Sequence, residues 1–382
     1  MSFLGLAHCS LPPQAESLRQ EVREFLAGAL AGRGAAARAQ SWDGFDPEFS
    51  RSIGARGWIG MTWPRRYGGA ERSALERYVV IEEMLAAGAP VSAHWFGDRQ
   101  TGPLLLRYGT EAQRVSILPA IARGELFFCI GMSEPDAGSD VAAIRSRARR
   151  VPGGWELSGA KVWTTNAHRA HSMLGLFRTA PEAAERHAGL SQFLVDMRSP
   201  GVSVRPITDM AGREHFNEVR LDQVFVPDSA LVGTEGDGWA QVMAELAYER
   251  SGPERYLSGV QLLLELVRAA GPAAGERARV AVGRAVASMV TLRQMSLAIA
   301  GMLEAGANPA QEAAIVKDLG TAFEQSLPEV VHELLGVEPD RAADTDLGRV
   351  HAVLLELAPC FSLRGGTREV LRGIIARGLG LR

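Results

Sequence analysis

The sequence predicts an α+β multidomain protein: a helical N-terminal domain over 1–126, a central antiparallel β-domain over 127–234, and a helical C-terminal domain over 235–382. Three observations carry this. In the first third, Leu18, Val22, Phe25, Leu26 and Leu30 recur at spacings of three and four, which gives one apolar helix face. From about Phe127 the pattern changes to short apolar, β-branched or aromatic runs separated by Gly, Pro and charged clusters. After Pro227 and the glycines at Gly233, Gly236 and Gly238, helical spacing returns.

The elements follow in order. Ala15 to Ala31 reads as the first helix. Arg56 to Pro64 breaks helical patterning, and Tyr67-Gly68-Gly69 follows as a turn. Ser73 to Ala87 predicts a second helix; Pro103 to Tyr108 and Glu111 to Ala122 predict shorter ones around Gly109. Pro152-Gly153-Gly154 is a turn signal ahead of the alternating Trp155, Glu156, Leu157 and Ser158. Ser172 to Arg178, Ser191 to Asp196, Gly201 to Pro206 and Glu218 to Val226 read as strands of a barrel or sandwich. Trp239 to Arg250 is helical, and Val282, Val286, Met289, Leu292, Ile299 and Met302 mark a long amphipathic helix. Gln311 to Leu335 predicts another, which Pro328 is expected to kink or divide. Glu356 to Arg382 closes the chain.

Composition narrows the function. A net charge of -3 offers no bulk surface for nucleic acid, and no apolar run reaches the ~18 residues of a membrane span. Lys161 and Lys317 are the only lysines, a scarcity that reads as coding bias. Cys9, Cys129 and Cys360 show neither metal spacing nor a disulfide framework, as reduced thiols of a cytoplasmic protein would. Glu16, Glu21 and Glu24 near the N-terminus do not resemble a secretory signal. The histidines are scattered, and His168 with His171 reads as a β-loop pair, so no metal site is expected.

The stretch from Cys129 to Asn166 carries the chemistry. It holds a small polar turn, Ser133-Glu134-Pro135-Asp136-Ala137-Gly138-Ser139-Asp140, and an aromatic-hydroxyl run, Trp163-Thr164-Thr165. A turn of this kind offers backbone N–H groups and hydroxyls to the polar edge of a flat redox ring, and an indole offers an apolar face for stacking. The pair resembles the flavin-binding signature of the acyl-CoA dehydrogenase family. Further words fit the same family in order: Tyr108-Gly109-Thr110-Glu111-Ala112-Gln113, Leu157 to Thr165, Phe216-Asn217-Glu218-Val219, Val224-Phe225-Val226-Pro227 and the tail Ile374 to Leu381. The resemblance covers nearly the whole chain and weakens from Arg255 to Asp346.

That resemblance implies a C-terminal four-helix bundle and an FAD site. Ile130, Gly131, Met132 and Ser133 would line the pyrimidine edge of the flavin, and donors there favour hydride acceptance. Trp163 would pack against the ring, with Thr164 beside it, and Thr165 would donate near flavin N5, the hydride acceptor. Gly366 and Thr367 belong to a C-terminal flavin-contacting word. Ser139 would face the CoA portion of the substrate. The proton at the α-carbon needs a carboxylate in a dry pocket. The word Arg364-Gly365-Gly366-Thr367 has glycine where most family members carry this base. Glu249-Arg250 matches the alternative position of members resembling the isovaleryl-CoA and long-chain dehydrogenases. Glu249 is thus the expected base and Arg250 the substrate-side arginine, with Glu254-Arg255 a rival pair beyond Pro253, a proline expected to kink the helix.

The family's Arg-x-x-Phe-Gly and Gly-Gly words, which reach the FAD diphosphate and adenosine in a neighbouring subunit, have no good counterpart; Arg277 to Arg284 and His332 to Gly336 are poor substitutes, which fits either a divergent branch with its own dinucleotide contacts or a different homologous subunit that supplies them. The expected partners are an acyl-CoA substrate, an electron-transferring flavoprotein, and either further copies (a dimer or tetramer) or a homologous subunit, as in steroid side-chain acyl-CoA dehydrogenases. The Glu249 position implies branched or bulky acyl groups. Two alternatives stand beside α,β-dehydrogenation: a flavin oxidase or monooxygenase of the same fold, and a non-catalytic partner subunit.

Overall fold

The computed structural model describes residues 5–180, 187–336 and 338–381, without the side chains of 245–249. The chain divides into two compact units: 1–45, 72–92 and 247–382 in one, 46–71 and 93–246 in the other.

The first unit is helical and draws on both ends of the chain. Pro13–Ala29 buries Ala15, Leu18, Val22 and Leu26, the apolar face its spacing predicts. Ala74–Ala86 starts at a reciprocal cap in which Ser73 accepts from the Glu76 N–H and the Glu76 carboxylate accepts from the Ser73 N–H. The two helices are joined by ion pairs: Arg19 reaches Glu82 and Glu83, and Arg23 reaches Glu83 at 2.7 Å. Arg293 grips Glu82 through two nitrogens at 2.6 and 3.0 Å, which ties in the long helix Glu276–Glu304.

Four helices, Val260–Ala270, Glu276–Glu304, Ala310–Leu335 and Asp346–Phe361, share one core around Leu262, Leu266, Leu327, Val331, Val350 and Leu354. This is the bundle that the family resemblance implied. Pro328 lies inside Ala310–Leu335 without dividing it, and its carbonyl is 2.9 Å from His351 Nε2. By length and composition Glu276–Glu304 is apolar enough to cross a membrane, although scattered arginines break its apolar run. Here it packs in the bundle through Ala285, with Val282 and Met289 against the same core. The short helix Arg368–Gly378 follows a cap by Thr367.

The second unit is built on an eight-stranded sheet. Its strands are β1 (Phe128–Gly131), β2 (Arg147–Val151), β3 (Gly154–Lys161), β4 (Ser172–Arg178), β5 (Leu190–Asp196), β6 (Val202–Ile207), β7 (Phe216–Pro227) and β8 (Leu231–Val232). Along the sheet they run β6-β7-β3-β2-β4-β5-β8, with β1 paired to β4. Most pairs are antiparallel, as expected. The exceptions are β1 with β4, from Phe128↔Ser172 to Gly131↔Gly175, and the single contact Arg147↔Arg178 of β2 with β4, both parallel. The core between the inward faces holds Trp155, Leu157, Phe177, Phe193, Val219 and Val224. A bulge between Leu157 and Gly159 lets β3 pass Ser146, whose Oγ would lie 2.2 Å from a Cβ at Gly159.

Candidate functional site

Two of the sequence motifs meet in the sheet unit. Strand β1 carries Ile130 and Gly131 and delivers Met132 and Ser133 at its end. Gly131 is held close to its neighbour strand; a Cβ there would meet Met173 Sδ at 2.4 Å. The turn after Ser133 closes on itself, with Glu134 N–H donating to the Ala137 carbonyl at 2.8 Å and Ala137 N–H donating back at 3.0 Å. The Ser133 carbonyl accepts from the Val162 N–H at 2.9 Å. One residue beyond that contact stands Trp163.

Trp163 is unusual in two ways. Its backbone has φ 59°, a left-handed conformation that costs a non-glycine residue, and its side chain is 58% exposed. The indole and the Phe216 ring stand perpendicular, with centroids 6.0 Å apart. The segment is pinned by β7: Thr164 N–H donates to the Asn217 carbonyl at 3.0 Å and Asn217 Nδ2 returns a bond to the Thr164 carbonyl at 2.9 Å. Asn166, also left-handed at φ 54°, donates its N–H to the His215 carbonyl. The Thr164 hydroxyl is buried with no hydrogen-bond partner among the described residues. Thr165 is half-buried and Ser139 is exposed on the turn.

A buried ion pair underlies both motifs. Lys161 Nζ lies 2.8 Å from Glu134 Oε1 and donates to the Leu176 carbonyl at 2.6 Å. The Glu134 carboxylate also accepts from the N–H groups of Arg145 and Ser146. Burial pulls the Lys161 ammonium down to about 8, against the attraction of Glu134. Burial works to raise Glu134, but Lys161 and the backbone donors outweigh it and hold the carboxyl below its usual range.

The helical unit carries the remaining candidates. Gly238–Glu249 ends on Glu249, whose side chain lies outside the described residues. Arg250 is buried, and its Nε donates to the Gly365 carbonyl at 3.0 Å. Gly365 and Gly366 have φ 68° and 99°, a pair of left-handed conformations that glycine adopts without strain. Lys317 Nζ donates to the Gly366 carbonyl at 2.7 Å, and Thr367 Oγ1 accepts from the Val370 N–H at 3.5 Å. Arg250 and the Gly365-Gly366 word, far apart in sequence, are thus direct neighbours. Pro253 does not kink the preceding helix; that helix has already ended, and Pro253–Arg255 forms its own short turn. Glu254 is fully buried there, 3.7 Å from Arg255. Glu324, also buried, accepts from the Ser258 N–H at 2.6 Å, and burial pushes its carboxyl up to about 7 against the pull of Arg364, 3.7 Å away.

Sequence reasoning did not assign roles to Lys161, Lys317, Glu134 or Asn217. The scarcity of lysine was the one available signal for the first two. A cavity of about 720 Å3 in the bundle, lined by Pro328, His332, His351 and Pro359 among others, contains none of the candidate residues.

Comparison with known proteins bears on the same segments. Residues 12–125 match the model of the acyl-CoA dehydrogenase N-terminal domain, and residues 129–224 that of the middle domain. The acyl-CoA dehydrogenase IpdE1 of Mycobacterium tuberculosis is 33% identical over 96% of this chain and 97% of its own. The solved Tcur3481-Tcur3483 steroid ACAD superimposes with a TM-score of 0.87 at 28% identity, covering 98% of this chain and 100% of that one. The ChsE4-ChsE5 complex from Mycobacterium tuberculosis gives a TM-score of 0.85 at 30% identity, covering 98% and 99%.

Proposed function

Because this chain belongs to the acyl-CoA dehydrogenase family, we propose that it dehydrogenates an acyl-CoA thioester to the trans-2-enoyl-CoA with FAD as cofactor and Glu249 as the base. The observation that carries the reading is the exposed, left-handed Trp163 held one residue from the Ser133 turn. A flat ring fits these residues: the indole is more than half exposed on this chain, and the buried Thr164 hydroxyl lacks a partner that a polar ring edge would supply. Bound FAD supplies the acceptor for the hydride that leaves the β-carbon.

The chain's own residues do the rest. Ser133 and the donors around it bind the polar edge of the ring, and Trp163 covers its apolar face. Thr165 donates at the ring's reactive side. Glu249 takes the α-proton onto a carboxylate oxygen, and Gly365 leaves the alternative base position empty of any side chain. Arg250 and Ser139 bear on the substrate, Ser139 on its CoA portion.

The relatives narrow the substrate and the assembly. The steroid ACAD among the solved structures supports a bulky acyl group of the steroid side-chain type. The two-component names of that structure and of the ChsE4-ChsE5 complex support assembly with a homologous subunit. Such a subunit would supply the adenosine and diphosphate contacts that this sequence lacks. Electrons would pass to an electron-transferring flavoprotein.

Glu249→Gln tests the reading. The variant should keep flavin and thioester binding and lose flavin bleaching by acyl-CoA under anaerobic conditions. Unchanged bleaching removes Glu249 as the base and moves the role to Glu254.

A further inference from the structure

Of the 41 lysine and arginine side chains, all but Lys161 and Lys317 are arginine. Both lysines are at 0% exposure. A bias that fills nearly every cationic position with arginine spares two positions, and both are fully enclosed. Each lies against one of the two words assigned to the cofactor. Lys161 ends β3 and pairs with Glu134, the residue after Ser133. Lys317 sits in the helix Ala310–Leu335 and holds the Gly366 carbonyl.

We propose that Lys161 and Lys317 are positioning residues for the two cofactor words, and that arginine cannot stand in for either. This rests on the FAD-dependent reading above. Burying an ammonium is costly, and a neutral amide would satisfy a carbonyl more cheaply. The enclosed charge strengthens its hydrogen bonds and fixes their partners. Lysine is a compact point charge on a thin stem, whereas a guanidinium is a planar fork with five donors to satisfy. Neither site has solvent to take up unused donors.

The consequence at Lys161 is local. Its ammonium bridges Glu134 and the Leu176 carbonyl, so the start of the turn is tied to the strand end from which Trp163 departs. The bond from Val162 N–H to the Ser133 carbonyl lies beside this bridge. Together they set the gap between Ser133 and the indole. At Lys317 the ammonium holds the Gly366 carbonyl. In a trans peptide the next N–H points the opposite way, so fixing that carbonyl aims the Thr367 N–H.

The test uses reconstituted full-length protein, with its partner subunit where FAD binding requires one. Lys161→Met, Lys161→Arg, Lys317→Met, Lys317→Arg and the double variant Glu134→Gln/Lys161→Met are compared by FAD dissociation constant, by visible circular dichroism of the bound flavin, and by thermal midpoint. The four single variants should weaken FAD binding roughly 10- to 100-fold, as misplaced binding groups do, and alter the flavin dichroism. The double variant strands no carboxylate, so it should recover the thermal midpoint while FAD binding stays weak. That variant keeps the test decisive if Lys161→Met does not fold. Wild-type affinity and dichroism in the methionine or the arginine variants overturn the proposal, as does FAD affinity that recovers together with the thermal midpoint. A wild-type protein that binds no FAD under any condition would instead refute the parent reading.

Discussion

Trp163 offers a substitution whose sign depends on its backbone. In ordinary helix or strand, glycine is less stable than alanine by about 0.5–1 kcal/mol, because it loses more freedom on folding. At φ 59° the balance shifts. A left-handed conformation costs a residue bearing a Cβ about 1–2 kcal/mol, and glycine does not carry that cost. Setting one against the other, Trp163→Gly should be more stable than Trp163→Ala by about 0.5–1 kcal/mol. The indole is lost equally in both. Stacking of a flat ring on an aromatic side chain contributes about 1–3 kcal/mol, so both variants should bind FAD roughly 5- to 150-fold more weakly. Urea unfolding of the apo forms reads the first quantity and FAD titration reads the second. An alanine variant as stable as the glycine variant would contradict the left-handed backbone. Wild-type FAD affinity in both would show that the indole does not touch the ring.

Other predictions bear on the supporting structure. Burial raises the Glu324 carboxyl to about 7 from an ordinary 4.5, so the folded state holds its proton more tightly than the unfolded one. Stability should therefore carry a component that falls as pH rises from about 4.5 to about 7 and is flat above, and Glu324→Gln should remove that slope in denaturant titrations across the range. Asn217→Ala removes the side-chain bond to the Thr164 carbonyl within a fully buried site and should cost about 1–3 kcal/mol in apo-protein unfolding, with weaker FAD retention. Arg293→Met removes a two-nitrogen grip on buried Glu82, which keeps Arg19 at 3.0 Å, and should cost about 1–3 kcal/mol in a thermal melt.

The legible parts of the fold were those with one buried face. Leu18, Val22 and Leu26 mark Pro13–Ala29 because its other side meets water. Asp346–Phe361 was not read as a helix before Glu356. It buries Leu347, Val350, His351, Ala352, Val353 and Leu354, and between Arg349 and Glu356 no charged residue marks its exposed side. The parallel pairing of β1 with β4 has no local signature either, since strand partners are chosen by tertiary packing. Pro328 is expected to kink or divide its helix, and Ala310–Leu335 runs through it undivided.

At the site, residue types were visible and their supports were not. Ser133 and Trp163 were read as a pair, and the bond from Val162 N–H to the Ser133 carbonyl brings them together. The Glu134–Lys161 ion pair joins residues that nothing in the sequence links. Arg250, expected on the substrate side, also donates to the Gly365 carbonyl, a contact across the chain that only the folded bundle creates.

FAD bound by this chain and reduced by an acyl-CoA thioester is the core of the proposed function. The visible absorption spectrum of the purified protein, taken alone and with a homologous partner subunit, before and after anaerobic addition of acyl-CoA, tests it most directly. An oxidised flavin spectrum that bleaches with a bulky acyl-CoA is expected. A colourless protein in both preparations, or a bound flavin that no thioester bleaches, would contradict it.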